Sequence, residues 1–378
     1  MPKVSVVLTS FNHAPYLRQA IDSVINQTYT DWELLIWDDV SSDNSWDIIQ
    51  GYSDPRIRAF RNDRNRRYIY AINESITTVA TGMYIAIHHS DDAWQPEKLT
   101  LQVAYLDANP HKGAVFTHVQ LIDEHNSLLL NDWFNVSNQS RAEWLRCLFL
   151  NTNKLCHPSA MVRREEYIKA GLYKLVHAQT DDAEMWTRLL FISDIYVIKR
   201  KLTLHRIFST GANVSGDNPK ALARKQFEWF EQKKNYLGIS LLDLLEIFPE
   251  AKQWLSSTKE NNQMYLLAMV LINIGNCQGT RLFGLDLLYR LLTVPATARR
   301  IAELYNFDYL DFINLSGEQG LFQCADEQSQ ASIQPENETA SDLFLCADEQ
   351  NQTTSQATHF FSHCKKKIYS VLSKVLGG

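Results

Sequence analysis

"VSVVLTSFNHAPYLRQAIDSVINQTYTDWELLIWDD", residues 4–39, predicts the fold of the first half of the chain. It contains two short apolar runs, 4–8 and 32–37, which are typical of buried strands. Between them, apolar side chains recur at three- and four-residue spacing and form one helical stripe: Tyr16, Leu17, Ala20, Ile21, Val24 and Ile25. A strand, a helix and a second strand in this order indicate a parallel sheet with helices on its faces.

The same alternation continues along the sequence. Further strands are predicted at 57–60, 84–88 and 114–119. Ser42 or Asp43 is suited to cap a helix after the second strand. Pro96 suits the first turn of another helix, which we expect to end before Asn109. We therefore expect an α/β domain built on a mostly parallel sheet.

The pattern changes after this domain, which we assign to residues 1–215. Segments of helical period replace the short strands and predict a helical extension over 216–315. Residues 316–358 are rich in Gln, Ser, Asn, Thr and Glu, and this composition predicts a disordered polar linker. Residues 359–378 predict a basic amphipathic helix, suited either to an anionic membrane surface or to packing on the extension.

The composition excludes several kinds of partner and site. A net charge of -6 over 378 residues gives no general attraction to nucleic acid, so we expect none as a partner. The six cysteines are widely spread without a CxxC pair, which argues against a zinc site or a disulfide framework. The chain starts without a signal-peptide pattern, and its most apolar stretch is too short to span a bilayer. We expect a cytoplasmic protein, with the basic tail as a candidate peripheral contact to the inner face of a membrane.

Three pairs of adjacent aspartates mark the candidate functional site, at 38–39, 91–92 and 181–182. Ligands of such sheets bind at the carboxyl ends of the strands, where the first two pairs stand. Adjacent carboxylates repel, so they need a cation, hydrogen-bond donors or open water. The alternative interpretation is that each pair caps the helix that follows it.

Three segments in this order resemble the inverting family 2 glycosyltransferases, which have the nucleotide-sugar-binding A-type fold: 4–45, "SDDAWQPEKL" (90–99) and "DDAEMWTRL" (181–189). The resemblance covers roughly residues 1–215. It implies transfer of a sugar from a nucleotide diphosphate donor, of UDP type, to a saccharide or lipid-linked acceptor. It also implies a Mn²⁺ or Mg²⁺ ion on the diphosphate.

The resemblance assigns the metal to Asp92, with Asp91 beside it. The family's DxDD motif has an aspartate where this chain has His89, which is then expected at the ribose or the metal. A hard divalent cation between carboxylate and phosphate oxygens stabilises the leaving diphosphate. We expect Asp92 to lie at a solvent-accessible crevice.

By the same resemblance, Asp38 or Asp39 accepts a hydrogen bond from the imino group of the base, and Phe11 lies against the base. The other donor-binding residues that the resemblance implies are Thr9, Asn12, Arg66, Arg67, Asn73, His89, Asp91 and Arg206.

The pair Asp181 and Asp182 resembles the family's Glu-Asp motif, whose second member is the catalytic base. The resemblance therefore implies that Asp182 removes the proton of the acceptor hydroxyl. Asp181 is expected to orient its neighbour or the acceptor.

Two other functions remain open at this level. His89, Val40 and Phe208 depart from the family pattern, which also fits a non-catalytic nucleotide-sugar-binding or scaffolding subunit. A nucleotidyltransferase would need a glycine-rich phosphate loop near the N-terminus, and "TSFNHAPYL" (9–17) contains no glycine.

Overall fold

The computed structural model describes residues 1–209 and 218–318. Within them, one mixed sheet of eight strands is flanked by helices, which confirms the predicted fold class. All five predicted strands are present. The strands are β1 Val4–Ser10, β2 Trp32–Asp38, β3 Ile57–Arg61, β4 Tyr84–His89, β5 Ala93–Trp94, β6 Lys112–Ile122, β7 Met161–Arg163 and β8 Asp194–Arg206.

The strand order across the sheet is β3-β2-β1-β4-β7-β6-β8-β5. The first four strands in this order are parallel, β7 is antiparallel to both β4 and β6, β6 and β8 are parallel, and β5 is antiparallel to β8. The register pairs Ser10 with Asp38 and Thr9 with His89. The carboxyl ends of β1, β2 and β4 therefore meet at one edge of the sheet, where the predicted site residues follow them.

Helices cover both faces of the sheet and form the region after it. They are α1 Ala14–Ile25, α2 Ser45–Gln50, α3 Tyr68–Glu74, α4 Lys98–Ala108, α5 Arg141–Phe149, α6 Arg164–Ala170, α7 Asp181–Ile192, α8 Pro219–Lys233, α9 Leu241–Ile247, α10 Gln263–Asn273, α11 Gln278–Thr293, α12 Pro295–Tyr305 and α13 Tyr309–Ser316. A π-helical turn, Ser75–Val79, extends α3, and short 3₁₀ turns lie at His157–Ser159, Lys234–Tyr236 and Pro249–Trp254.

The apolar stripe predicted in α1 is confirmed. Leu17, Ala20, Ile21 and Val24 are buried, whereas the two flanking members of the stripe are only half-buried. Successive side chains of β1 point to opposite faces of the sheet. Val6 and its neighbours on the same face pack under α1, α2 and α4, and Val7 enters a larger core on the opposite face. That larger core continues through α7 into α10 and α11.

Two local predictions are wrong. The N-cap of α2 is Asn44, while Asp43 accepts hydrogen bonds from the N–H groups of Ala14 and Ser45 at 3.0 Å each and ties α1 to α2. Pro96 lies before α4, whose N-cap is Glu97. The carbonyl of Pro96 accepts from the N–H of Thr28 at 2.8 Å. The end of α4 at Ala108 agrees with the prediction.

Several predictions fall outside the described residues. These are the tail helix at 359–378 and all of the polar linker beyond residue 318. Among the described residues, no helix is both long enough and apolar enough to cross a bilayer. The cysteines within this part, Cys147, Cys156 and Cys277, are free thiols.

Candidate active site

A cavity of about 760 Å³ lies at the edge where β1, β2 and β4 end. It brings together eight of the predicted site residues, which line its wall: Thr9, Phe11, Asp39, Arg67, His89, Asp91, Asp181 and Asp182. The other predicted residues do not line the cavity: Asn12, Asp38, Arg66, Asn73, Asp92 and Arg206. The three aspartate pairs therefore converge, but only four of the six carboxylates face the cavity.

Asp39 faces the cavity and Asp38 does not. The carboxylate of Asp39 accepts from the side-chain amide of Asn62 at 2.7 Å and from the N–H groups of Arg66 and Arg67 at 2.7 and 2.8 Å. Asp38 is fully buried, and Nε of Arg61 lies 3.1 Å from its Oδ2. Of the two aspartates, only Asp39 lines the cavity.

Only one of the two candidate arginines before α3, Arg67, lines the cavity. Arg67 has a φ of 66°, and its guanidinium donates to the carbonyl of Ala178 at 3.3 Å on the cavity wall. Arg66 instead pairs with Asp63 at 2.8 Å, away from the cavity. Asn73 binds the backbone of Tyr173 in both directions, at 2.8 and 3.0 Å, and so fixes α3 to the segment before α7.

Asn12 shapes the loop that follows β2. Its side-chain oxygen accepts from the N–H of Ser42 at 2.8 Å, and its own N–H donates to Oγ of Ser41 at 3.0 Å. Val40 in this loop has a φ of 63°, the left-handed region that favours glycine, which is the usual residue of the resembled family at this position. Phe11 is 44% exposed beside it, with its ring open to a ligand.

A cluster of imidazoles and carboxylates follows β4. His89, Asp91 and Asp92 each offer one ligand atom, and these three atoms lie within 4.8 Å of one another. His205, at the end of β8, places Nδ1 3.0 Å from Oδ1 of Asp92. His13, after β1, places Nδ1 2.8 Å from Oγ of Ser90 and 4.0 Å from Oδ1 of Asp91. Oxygen and nitrogen donors at this spacing fit a divalent cation such as Mn²⁺.

The expectation that Asp92 faces solvent is wrong. Its side chain is fully buried because the N–H of Arg206 donates to Oδ1 at 2.8 Å and His205 covers it. Burial alone would raise the pKa of Asp92, but the charge and hydrogen bond of His205 outweigh it and hold this pKa below its usual range. Burial and the charge of Asp92 raise the pKa of Asp91, which lines the cavity.

Arg206 supports this cluster through hydrogen bonds without lining the cavity. Its Nε donates to the carbonyl of Asp91 at 2.8 Å, and its Nη2 donates to Gln19 and Asn126 at 2.9 and 2.8 Å. The guanidinium is fully buried and lies over the ring of Tyr16 at 4.5 Å. It fixes the backbone of the acidic turn and does not line the cavity.

The third pair begins α7 and lines the same cavity. Oδ2 of Asp181 accepts from the hydroxyl of Tyr68 at 2.6 Å. Asp182 accepts from the side-chain amide of Asn153 at 2.8 Å and from the N–H of Ala183 at 2.7 Å. Burial raises the pKa of both carboxyls, and for Asp182 the charge of Asp181 adds to the effect. A carboxyl that titrates nearer neutrality is suited to exchange a proton.

Two histidines of the site, His89 and His157, form a hydrogen-bonded series with Tyr173. Nε2 of His89 lies 3.3 Å from Nδ1 of His157, whose Nε2 lies 2.9 Å from the hydroxyl of Tyr173. Burial lowers the pKa of His157 well below its usual range, so its imidazole is neutral. His157 therefore packs as a buried, hydrogen-bonded support at the floor of the cavity.

Residues in contact with the site that the sequence did not indicate include His13, Tyr68, Asn153, His205 and Glu228. His13 lies within "FNHAPYL" and His205 directly precedes Arg206, so both stand beside segments that had been noted. Asn153 and Glu228 have no such local signal.

The comparisons with known proteins agree with this geometry. The model of the family "Glycosyl transferase family 2" matches residues 5–170. The uncharacterized glycosyltransferase MJ1057 of Methanocaldococcus jannaschii is 31% identical over 195 residues, which are 50% of this chain and 65% of that protein. The UDP-Glc:alpha-D-GlcNAc-diphosphoundecaprenol beta-1,3-glucosyltransferase WfgD of Escherichia coli is 37% identical over 106 residues, 28% of this chain and 42% of WfgD. The chain thus spans less than two thirds of the length of these curated relatives.

Among solved structures, S. aureus TarS 1–349 in complex with UDP superposes with a TM-score of 0.53 at 13% identity, covering 89% of this chain and 94% of that one. This likeness shows that the two chains share a fold. The family match, the named relatives and the shared fold all point the same way: residues 5–170 of this chain resemble glycosyl transferase family 2.

Proposed function

We propose that this chain transfers a sugar from a nucleotide diphosphate donor, of UDP type, to a saccharide or lipid-linked acceptor, with inversion at the anomeric carbon. One observation carries the proposal: a single cavity is lined both by His89 and Asp91 of the imidazole–carboxylate cluster and by the carboxylate pair Asp181 and Asp182, whose pKa values are raised. Proteins with related folds or sequences support the donor class, since TarS structures are described with UDP and UDP-GlcNAc and the name of WfgD specifies UDP-Glc.

The nucleotide is expected at the β1–β2 end of the cavity. Phe11 offers an exposed ring for the base, and Asp39 offers carboxylate oxygens for its imino hydrogen. Arg67 lines the same wall and supplies positive charge. A divalent cation, Mn²⁺ or Mg²⁺, would be held by His89 and Asp91 with Asp92 behind them, and would offset the charge that develops on the leaving diphosphate.

Asp182 is the base in this proposal. The acceptor oxygen forms a bond to the anomeric carbon while the bond from that carbon to the diphosphate oxygen breaks. The electron pair leaves with the nucleoside diphosphate, and the proton of the acceptor hydroxyl passes to Asp182. Attack from the face opposite the leaving group inverts the anomeric configuration.

A non-catalytic donor-binding subunit is the second candidate. It is favoured by His89 in place of an aspartate and by Phe208, which lines the cavity where many relatives carry a histidine. Turnover separates the two candidates, because such a subunit binds UDP without releasing it from a UDP-sugar.

The test is a panel of UDP-glucose, UDP-GlcNAc and GDP-mannose, each with Mn²⁺, Mg²⁺ or EDTA. A UDP-sugar with its ion is expected to raise the melting temperature, since a ligand at a hundredfold excess over Kd stabilises by about 2.7 kcal/mol. UDP release should then depend on an added saccharide or lipid-linked acceptor, and NMR should show an inverted product. Binding without any UDP release would favour the non-catalytic subunit.

We also propose a cytoplasmic, membrane-peripheral location, because residues 365–378 combine four lysines with an apolar stripe. Deletion of this segment should abolish cosedimentation with anionic phosphatidylglycerol vesicles. Equal binding by the full-length and shortened chains would contradict this location.

A further inference from the structure

Glu228 lies on α8, beyond residues 5–170 of the family match, yet it holds the segment that leads into Asp181. Its side chain is 2% exposed. Oε1 accepts from the N–H of Ala178 at 2.8 Å, and Oε2 accepts from the N–H groups of Gln179 and Thr180 at 2.8 Å each. The hydroxyl of Thr180 also donates to Oε2, at 3.2 Å. Three successive backbone donors thus converge on one buried carboxylate.

These bonds determine where α7 begins. Thr180 is the N-cap residue of α7 and makes no capping bond with its own side chain to that helix. Its hydroxyl and its N–H are instead occupied by Glu228. Because Asp181 and Asp182 directly follow Thr180, a shift of the 178–180 segment moves both carboxylates relative to the cavity.

The neighbouring residues of α8 also face the site. Lys225 and Trp229 line the cavity beside the carboxylate pair. Gln232 donates to Oγ1 of Thr187, one and a half turns into α7, and Lys233 donates to Oδ1 of Asn151 at 2.6 Å. One face of α8 therefore forms a wall of the cavity, and Glu228 is its direct connection to the segment before the proposed base.

We infer that Glu228 is a positioning residue for the Asp181–Asp182 pair, so that the helical region after the family domain completes the active site. The inference rests on the proposed transfer reaction. Glu228 acts through the backbone of 178–180 and touches neither donor nor acceptor.

The charge of Glu228 predicts a change in the pH dependence of kcat that a purely structural role would not produce. It is one of the charges that disfavour ionisation of Asp181. The nearest facing group is His177, whose Nδ1 lies 3.9 Å from Oε2 of Glu228 and whose pKa is lowered by burial. The other titratable groups that interact with the pair come from several elements: Arg67, Tyr68, Cys156, Tyr173 and His205.

The test compares Glu228→Gln with the wild type in UDP release from the UDP-sugar that the wild type uses. Glutamine keeps the size of the side chain, but its NH₂ group is a donor and cannot accept hydrogen bonds from the backbone N–H groups. We expect kcat to fall by about 10- to 100-fold, as for a displaced catalytic group. UDP affinity by calorimetry should fall less than kcat, because the link from this segment to the donor-binding residues is the bond from Arg67 to the carbonyl of Ala178. We also expect the acid limb of the kcat profile to move to lower pH, because a negative charge beside Asp181 is lost.

Three further variants complete the test: a control, a variant that keeps the charge, and a substitute in case Glu228→Gln does not fold. Glu231→Gln changes an exposed-side carboxylate of the same helix, paired with Lys234 at 2.6 Å, and should match the wild type. Glu228→Asp keeps the charge and shortens the reach, so kcat should fall while the acid limb stays in place. If Glu228→Gln does not fold, Thr180→Val decides, since it removes one bond to Glu228 and should lower kcat without changing UDP affinity.

The outcomes separate this inference from the proposed function. A folded Glu228→Gln with wild-type kcat and pH profile overturns the inference alone, as does wild-type kcat in Thr180→Val where the first variant is unfolded. A wild-type chain that releases no UDP from any UDP-sugar overturns the proposed function and this inference with it.

Discussion

The hydroxyl of Tyr68 donates a 2.6 Å hydrogen bond to Oδ2 of Asp181, joining the first residue of α3 to the first residue of α7. Burial and the charge of Asp181 raise the pKa of Tyr68 well above its usual range, so the phenol remains a donor. Asp181 is only 4% exposed and is held by this bond. Asp182 is the more accessible of the two carboxylates, which makes it the better candidate for the base.

Asp182→Asn is expected to lower kcat by about 10²- to 10⁴-fold, because amides do not take up the proton of an attacking hydroxyl. UDP affinity should not change, since Asp182 is not among the residues proposed to hold the base, the diphosphate or the ion. Measured rates of UDP release with acceptor, together with calorimetry of UDP, check both statements. Asp194→Asn is a matched control, because that carboxylate pairs with Lys112 on the protein surface. Full transfer activity in Asp182→Asn would move the base to Asp181.

The same substitution is expected to stabilise the fold at neutral pH. The pKa of Asp182 is raised in the folded chain, so the folded state binds its proton more tightly than the unfolded state does. Wild-type stability is therefore lost as pH rises from the ordinary carboxyl pKa of about 4 through the raised value. Asp182→Asn should melt at a higher temperature than the wild type above this window, and the advantage should vanish below about pH 4. A constant difference across this pH range would contradict the assignment of a raised pKa.

Tyr68→Phe is expected to move the acid limb of kcat to higher pH. The phenol hydrogen bond favours the ionised form of Asp181, so its loss makes the carboxylate pair harder to ionise. This direction is opposite to the one expected for Glu228→Gln. Initial rates of UDP release across a pH series test it, and a limb that stays in place would show that the phenol does not influence the titrating pair.

The sheet was predictable because its strands follow local rules. Each predicted strand is a short run of β-branched and other apolar residues, and β1 is buried along its whole length. The short strands β5 and β7 were not predicted, because two or three residues carry no measurable alternation. The long strand β8 was missed for another reason: its exposed middle, around Arg200, interrupts the apolar pattern.

The candidate site was predictable in part, where residues follow strand ends or stand in a recognisable motif. Asp39, Asp91 and Asp182 were found in this way and line the cavity. The burial of Asp92 depends on His205 and Arg206, more than a hundred residues away, so no local pattern indicates it. The sequence around Glu228 likewise does not indicate its role, because its hydrogen-bond partners lie 48 to 50 residues earlier.

Asp91→Asn and Asp92→Asn are expected to differ in their effects. Asp91 lines the cavity, so its substitution should weaken Mn²⁺-dependent UDP binding. It should not lower the melting temperature, because the pKa of Asp91 is raised in the fold. Asp92 is buried against His205 and the N–H of Arg206, so its substitution should also destabilise the fold. The loss is expected to be about 1–3 kcal/mol, the cost of a buried polar group with an impaired partner. Urea unfolding and calorimetry with Mn²⁺ measure the two effects, and equal stability of both variants would contradict the structural role of Asp92.

The last prediction concerns the choice of metal ion. His89 stands where the family motif has an aspartate, and its ligand atom lies within 4.8 Å of those of Asp91 and Asp92. Mg²⁺ prefers oxygen ligands, whereas imidazole nitrogen suits transition-metal ions better. We therefore expect Mn²⁺ to support UDP binding better than Mg²⁺ in the wild type, and His89→Asp to reduce this difference by restoring an oxygen ligand. Calorimetry of UDP in each ion gives the ratio of the two affinities. His111→Asp introduces the same side chain at an exposed position before β6 and should keep the wild-type ratio. An unchanged ratio in His89→Asp would remove His89 from the proposed metal site and leave its contact with His157 as its role.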